Sequence, residues 1–120
     1  MEYNVYASAC PTRMIFDRIS DKWALLTLDR LCQQPVRFNQ LLREIDGISQ
    51  KMLSQTLKNL ERDGLIKRQA FPTVPVTVEY SITALGKTLS STVNVLIHWA
   101  QDNGDAVLAA QVEYDGRMAS

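Results

Sequence analysis

Cysteine and histidine are scarce in this chain. Two cysteines, Cys10 and Cys32, are too few for a disulfide scaffold or a structural zinc site. The lone His98 adds no metal cluster, so neither a metal nor a cofactor is expected. No run approaches the roughly 18 apolar residues of a membrane span. The opening residues, MEYNVYASACPTR, lack the charged-then-apolar order of a signal peptide. A soluble cytoplasmic protein is the expectation, with no membrane partner. A nucleophile–base pair and a phosphate-binding glycine loop are missing too, which argues against an enzyme. Internal repeats and low-complexity tracts are also lacking.

What remains is 120 residues, 46% of them hydrophobic, enough for one compact domain spanning residues 1–120. Net charge is zero but unevenly spread. Residues 1–36 hold four basic and four acidic side chains. Residues 37–70 hold seven basic and four acidic, a balance of +3, and residues 71–120 hold two basic and five acidic, a balance of −3. A polyanion would be met by the middle third.

The apolar spacing predicts helices first. Cys10-Pro11 reads as a helix start, because proline suits the first helical position. A short helix is expected to run to about Ile19. Ser20-Asp21 caps a second helix, KWALLTLDRLC, with apolar residues on most sides (Trp23, Ala24, Leu25, Leu26, Leu28, Leu31), so it should be largely buried. RFNQLLREIDG follows with Phe38, Leu41, Leu42 and Ile45 at helical spacing and Gly47 as its breaker. Ser49 is a good N-cap for the next helix, with Ile48 and Leu53 at the staple positions beside it. Leu53, Leu57 and Leu60 form the buried stripe of that helix, and Gly64 ends it.

The period then changes from 3.6 to 2. LIKRQAF and VTVEYSI are expected to pair as a hairpin around Pro72-Thr73-Val74-Pro75. Tyr80 should pack from this hairpin onto the helices. Thr83 caps a long helix with Leu85, Leu89, Val93, Leu96, Ile97 and Ala100 along one side. Asn103-Gly104 is expected to stop it, DAVLAAQVEY to form one more helix, and DGRMAS to fray. Trp23 and Trp99 are expected to fill core or interface, and His98 to lie at a surface or interface.

Two helices joined by a glycine turn and followed by a hairpin make a winged helix-turn-helix, a mainly α (α+β) fold whose second helix enters the DNA major groove. With Leu53, Leu57 and Leu60 inward, 100° per residue turns Lys51, Gln55, Lys58 and Arg62 outward, with Gln50 and Ser54 flanking. Lys and Arg neutralise phosphates; Gln and Ser hydrogen-bond base edges. The N-terminus of the helix, capped by Ser49, adds free N–H groups and partial positive charge. A solvated amphipathic helix is the bland reading of the same face. The context of the preceding helix, Gly47 and the hairpin favours double-stranded DNA.

These residues resemble the HxlR family of bacterial winged-helix transcriptional regulators. The likeness is carried by Cys10-Pro11, Asp21-Lys22-Trp23, Arg37-Phe38 with Leu41, GISQKMLSQTLKNLERDGLIKR and VEYSITALGKTL, over residues 9 to 102. It implies a homodimer that binds an operator and usually represses a neighbouring promoter. Residues 37–82 would carry the helix-turn-helix and wing, with Arg37, Lys67 and Arg68 added to the DNA-binding set. Dimerisation would use residues 9–20 and 83–120, including Leu85, Leu89, Val93, Leu96, Ile97, Trp99 and Ala100. One departure stands out: the wing turn carries no charge, and Lys67 and Arg68 at the hairpin base are the nearest substitutes.

Several family members look like thiol sensors of quinones, electrophiles or oxidants, with a cysteine just ahead of the first helix, where Cys10 stands. A cysteine at a helix N-terminus has its thiolate stabilised, and Arg13 lies one turn on. The thiolate is the reactive form. The competing reading is a small apolar residue at a dimer interface. Cys32 shares a face with Leu25 and Leu28 and reads as core, yet it is also the candidate redox partner of Cys10 if the first two helices form a hairpin. Disulfide geometry is demanding, so pairing within one chain, across a dimer, or none at all stays open. Two other functions remain in view: a regulator answering a non-covalent small-molecule effector, with Cys10 structural, and a winged-helix protein-interaction module without DNA binding.

Overall fold

The computed structural model describes residues 2–119. The first helix, α1 (Ile15–Ile19), begins later than Pro11. Residues 11–14 form turns instead. They are closed by short-range bonds: Arg13 N–H to Cys10 O at 3.1 Å, Ile15 N–H to Thr12 O and Phe16 N–H to Arg13 O, both at 3.0 Å. So short a helix has little cooperativity of its own, and it buries no residue.

Asp21 does cap α2 (Lys22–Leu31), accepting from the Trp23 N–H at 2.9 Å. Burial on α2 falls on Ala24, Thr27, Leu28 and Leu31, while Leu26 on another side is 41% exposed. Cys32 is the C-cap residue of α2 and is exposed, which overturns its reading as core. The helix has already turned into its last carbonyls there, and the thiol donates to Asp29 O at 2.8 Å.

A two-residue strand, β1 (Val36–Arg37), precedes α3 (Phe38–Glu44), with Arg37 as the α3 N-cap residue. Two residues give no readable period, so β1 escapes a pattern search. Next come α4 (Gln50–Arg62), β2 (Ile66–Phe71) and β3 (Thr77–Ile82). The sheet is antiparallel with order β1-β3-β2, so the expected two-stranded wing has a third strand at its root. Val36 pairs with Tyr80 and Arg37 with Glu79, while Ile66 pairs with Ile82 and Phe71 with Thr77. Tyr80 is half-buried.

Thr83 caps α5 (Ala84–Ala119), accepting from the Gly86 N–H at 3.0 Å. This helix runs through Asn103-Gly104, which were expected to stop it, and through DGRMAS, which was expected to fray; Ser120 lies outside the described residues. An interior glycine costs a helix only about 1 kcal/mol. The Asn103 amide donates back to Trp99 O at 2.9 Å, which serves the helix instead of ending it. DAVLAAQVEY is therefore the continuation of α5, not a separate helix.

The chain divides into two compact units, one reaching Ser90 and the other starting at Ser91. The first holds the helix-turn-helix, the sheet and the start of α5. Its core is Leu28, Leu31, Leu41, Leu53, Leu57 and Leu60, each 0–2% exposed. The second is the remainder of α5. Among the described residues no helix is long and apolar enough to cross a membrane.

Candidate nucleic-acid interface

The turn between α3 and α4 depends on Gly47. Its φ of 88° lies in the left-handed region, and a β-carbon there would face the Trp23 ring at 3.7 Å. Ile45 and Ile48 are buried on either side of it. Ser49 then opens α4 by accepting the Met52 N–H at 3.0 Å. Ile48 and Leu53 are both buried, at 8% and 0% exposure, as the staple requires.

Leu53, Thr56, Leu57 and Leu60 are the buried side of α4. Gln50, Lys51, Gln55, Lys58 and Arg62 are exposed, Ser49 is exposed at the cap, and Ser54 is half-buried at the flank. The structure thus brings these residues onto one helix with a solvent-facing cationic side. Gln55 Nε2 donates to Asn59 Oδ1 at 3.1 Å, which orients its amide along the helix. Met52, 42% exposed near the cap, is an apolar member of the outer face that charge counting does not reveal.

Lys67 and Arg68 are both exposed on β2. As neighbours on one strand they project to opposite faces of the sheet, so they do not share one. Arg37 stands opposite Glu79 in the β1–β3 register. It lines a cleft of about 400 Å³ with Asn39, Gln40, Arg43 and Glu79. Arg43 belongs to the basic middle third, but its charge alone did not single it out. A further signal was present: Asn39 and Arg43 are four apart and share a face of α3.

Cys10 is half-buried and free. Its Sγ lies 3.1 Å from Thr12 Oγ1. The Thr12 hydroxyl holds its thiol below the usual cysteine range; burial opposes it, and the N–H groups of Thr12 and Arg13 add smaller support. Turn hydrogen bonds therefore replace the helix N-terminus as the cause. The Arg13 guanidinium points elsewhere, donating to Tyr6 O at 3.5 Å. Cys32 is also free.

The residues expected at a dimer contact differ in what they offer. In the first unit Leu85 is 56% exposed and Leu89 is half-buried; in the second Leu96 is 47% and Trp99 59% exposed, with Ile97 half-buried and Ala100 exposed. Val93, also expected there, is 0% exposed within one chain. On α1 and its approach, Met14, Ile15 and Phe16 are 70%, 49% and 48% exposed. His98 is exposed, with Nδ1 2.8 Å from Asn94 O.

The HxlR-like helix-turn-helix family profile matches residues 18–107. The uncharacterised HTH-type transcriptional regulator YtfH of Escherichia coli (strain K12) is 42% identical over 112 residues, covering 93% of this chain and 89% of that one. The solved YtfH structure from Salmonella typhimurium is 40% identical, covers 92% of this chain and 98% of that one, and superposes with a TM-score of 0.85. The redox regulator HypR in its oxidised form is 35% identical, covers 78% and 97%, and gives a TM-score of 0.73.

Proposed function

This chain belongs to the HxlR-like helix-turn-helix family of transcriptional regulators, and we propose that it acts as a homodimeric repressor that releases its operator when Cys10 is modified. The DNA contact is carried by one observation. On a capped α4 that follows a glycine turn, the leucine stripe is inward while Lys51, Gln55, Lys58 and Arg62 are outward. Lys51, Lys58 and Arg62 neutralise phosphates, Gln50 and Gln55 read base edges in the major groove, and Ser49 and Ser54 contact the backbone near the helix N-terminus. Arg37, Lys67 and Arg68 extend the electrostatic footprint.

The homodimer reading is supported by exposed apolar side chains on both proposed contact segments, around α1 and on α5. The switch reading is supported by the Cys10 thiol, which Thr12 biases toward the thiolate that reacts with quinones and peroxides. The similarity to a redox regulator points the same way. A soluble cytoplasmic location belongs to this reading. A non-covalent effector is favoured by one separate observation, a cleft of about 690 Å³ with an apolar wall of Met14, Ile15, Leu65, Leu85 and Leu89 and a charged one of Asp17, Arg18, Arg62 and Asp63.

The test is a gel-shift titration on DNA upstream of the protein's own gene, with reduced protein, diamide-treated protein and Cys10→Ser. Reversible loss of the shift in wild type but not in the variant is the expected result. A Cys10→Ser protein still released by diamide would remove the thiol switch. Tight binding that ignores diamide in every sample would leave the non-covalent effector as the better reading.

A further inference from the structure

Asp63 is an acid where a helix disfavours one. It is the C-cap residue of α4, at the negative end of the helix dipole, where a cation is the stabilising choice. It also follows Arg62 on the element that faces a polyanion. Its counter-charge comes from α1: Arg18 Nε donates to Asp63 Oδ2, and Nη2 donates to Oδ1 at 3.5 Å. The side chains are 19% and 30% exposed, so the pair is partly open to solvent.

The hydrogen bonding to Asp63 holds the Arg18 guanidinium above its usual range. A forked guanidinium–carboxylate contact fixes direction as well as distance. This matters because α1 buries no side chain. The α1 helix is continuous with the bonded turns around Cys10, and Arg18 ties this segment to the end of α4.

We propose that Arg18 is a positioning residue for DNA recognition: through Asp63 it sets the direction of the C-terminal end of α4, and with it the placement of Lys58 and Arg62 on the duplex. The role rests on the reading of α4 as the DNA-contacting helix. Partly exposed ion pairs contribute little to global stability, so removing this one leaves the fold intact and shifts the helix end.

The experiment uses the full chain and a duplex selected by the wild-type protein from a random-sequence pool, with an unselected duplex of equal length as reference. Asp63→Asn should bind the selected duplex about tenfold more weakly, and Arg18→Gln similarly, as expected for loss of a coupled pair. Electrostatics alone predicts the opposite sign for Asp63→Asn, because the change removes an acid beside DNA and from a helix C-terminus. The reversed pair, Arg18→Asp with Asp63→Arg, should restore most of the affinity. Thermal unfolding should be nearly the same in all four proteins, and affinity for the unselected duplex should change by less than about threefold, since that binding rests on charge alone. Asp63→Asn binding as tightly as wild type or tighter overturns the proposal, and so does a folded reversed pair that stays as weak as the single variants. A wild-type protein that prefers no duplex in the pool overturns the DNA reading itself, and the positioning role falls with it.

Discussion

A β-carbon placed on Gly86 would stand 2.1 Å from the carbonyl oxygen of Leu65. The first turn of α5 therefore lies directly against the chain that leaves α4 for β2. Thr83 stitches the same junction, donating to Gly64 O at 2.7 Å while it caps α5. Backbone cannot yield as a flexible side chain would, so Gly86→Ala should destabilise the first unit by about 3 kcal/mol, the upper end of overpacking costs. Urea denaturation followed by circular dichroism measures it, and an unchanged midpoint would contradict the close approach.

Ser49 supplies the hydroxyl that accepts the Met52 N–H. Ser49→Ala should cost about 1 kcal/mol of stability, and Ser49→Asp should keep most of it because aspartate caps as well. Urea midpoints decide this. Equal loss in both variants would show that the cap is not what Ser49 contributes.

Lys51 and Lys58 are exposed on the outer side of α4. Lys51→Ala and Lys58→Ala should each weaken duplex binding. Each should also lower the slope of log affinity against log salt by about 0.9 for every phosphate that is no longer neutralised. Fluorescence anisotropy at several salt concentrations reads both quantities, and slopes equal to wild type would move the DNA contact off this face.

The Cys10 thiol is held below the ordinary cysteine range, first by the Thr12 hydroxyl. A depressed thiol pKa means that the thiolate persists to lower pH. The rate of iodoacetamide labelling at Cys10, plotted against pH, should then have its midpoint below that of a free cysteine. Thr12→Val removes the hydroxyl and should move the midpoint up. A midpoint that ignores Thr12→Val would mean that the turn N–H groups do the work alone.

Leu96 is 47% exposed on α5. Leu96→Glu puts a charge into the proposed contact between copies and should turn a dimer into a monomer. Light scattering reads the mass directly, and a Leu96→Glu protein of dimer mass would place the contact elsewhere.

Much of α4 was legible in the sequence. Ser49, Gly47 and the stripe of Leu53, Leu57 and Leu60 all pointed to one helix in one orientation, and the structure has that helix between Gln50 and Arg62. The reason is physical: cap, turn glycine and leucine spacing are each local signals within one or two turns. The alternation in residues 76–82 likewise announced β3.

What escaped depended on distant parts of the chain. β1 is a strand only because Val36 and Arg37 meet Tyr80 and Glu79. Asn103-Gly104 read as a stop, although a helix of this length absorbs the cost of one glycine. Cys10 could be singled out by its place before the first helix, but the agent that lowers its pKa is Thr12 across a tight turn. By itself the sequence determined which helix faces outward with positive charge, because side-chain periodicity is set by the backbone geometry of one element. Only the tertiary structure decided that Arg18 meets Asp63 and that Gly86 must be glycine to pass Leu65. Residues far apart in the chain become neighbours through packing, and no local period records it.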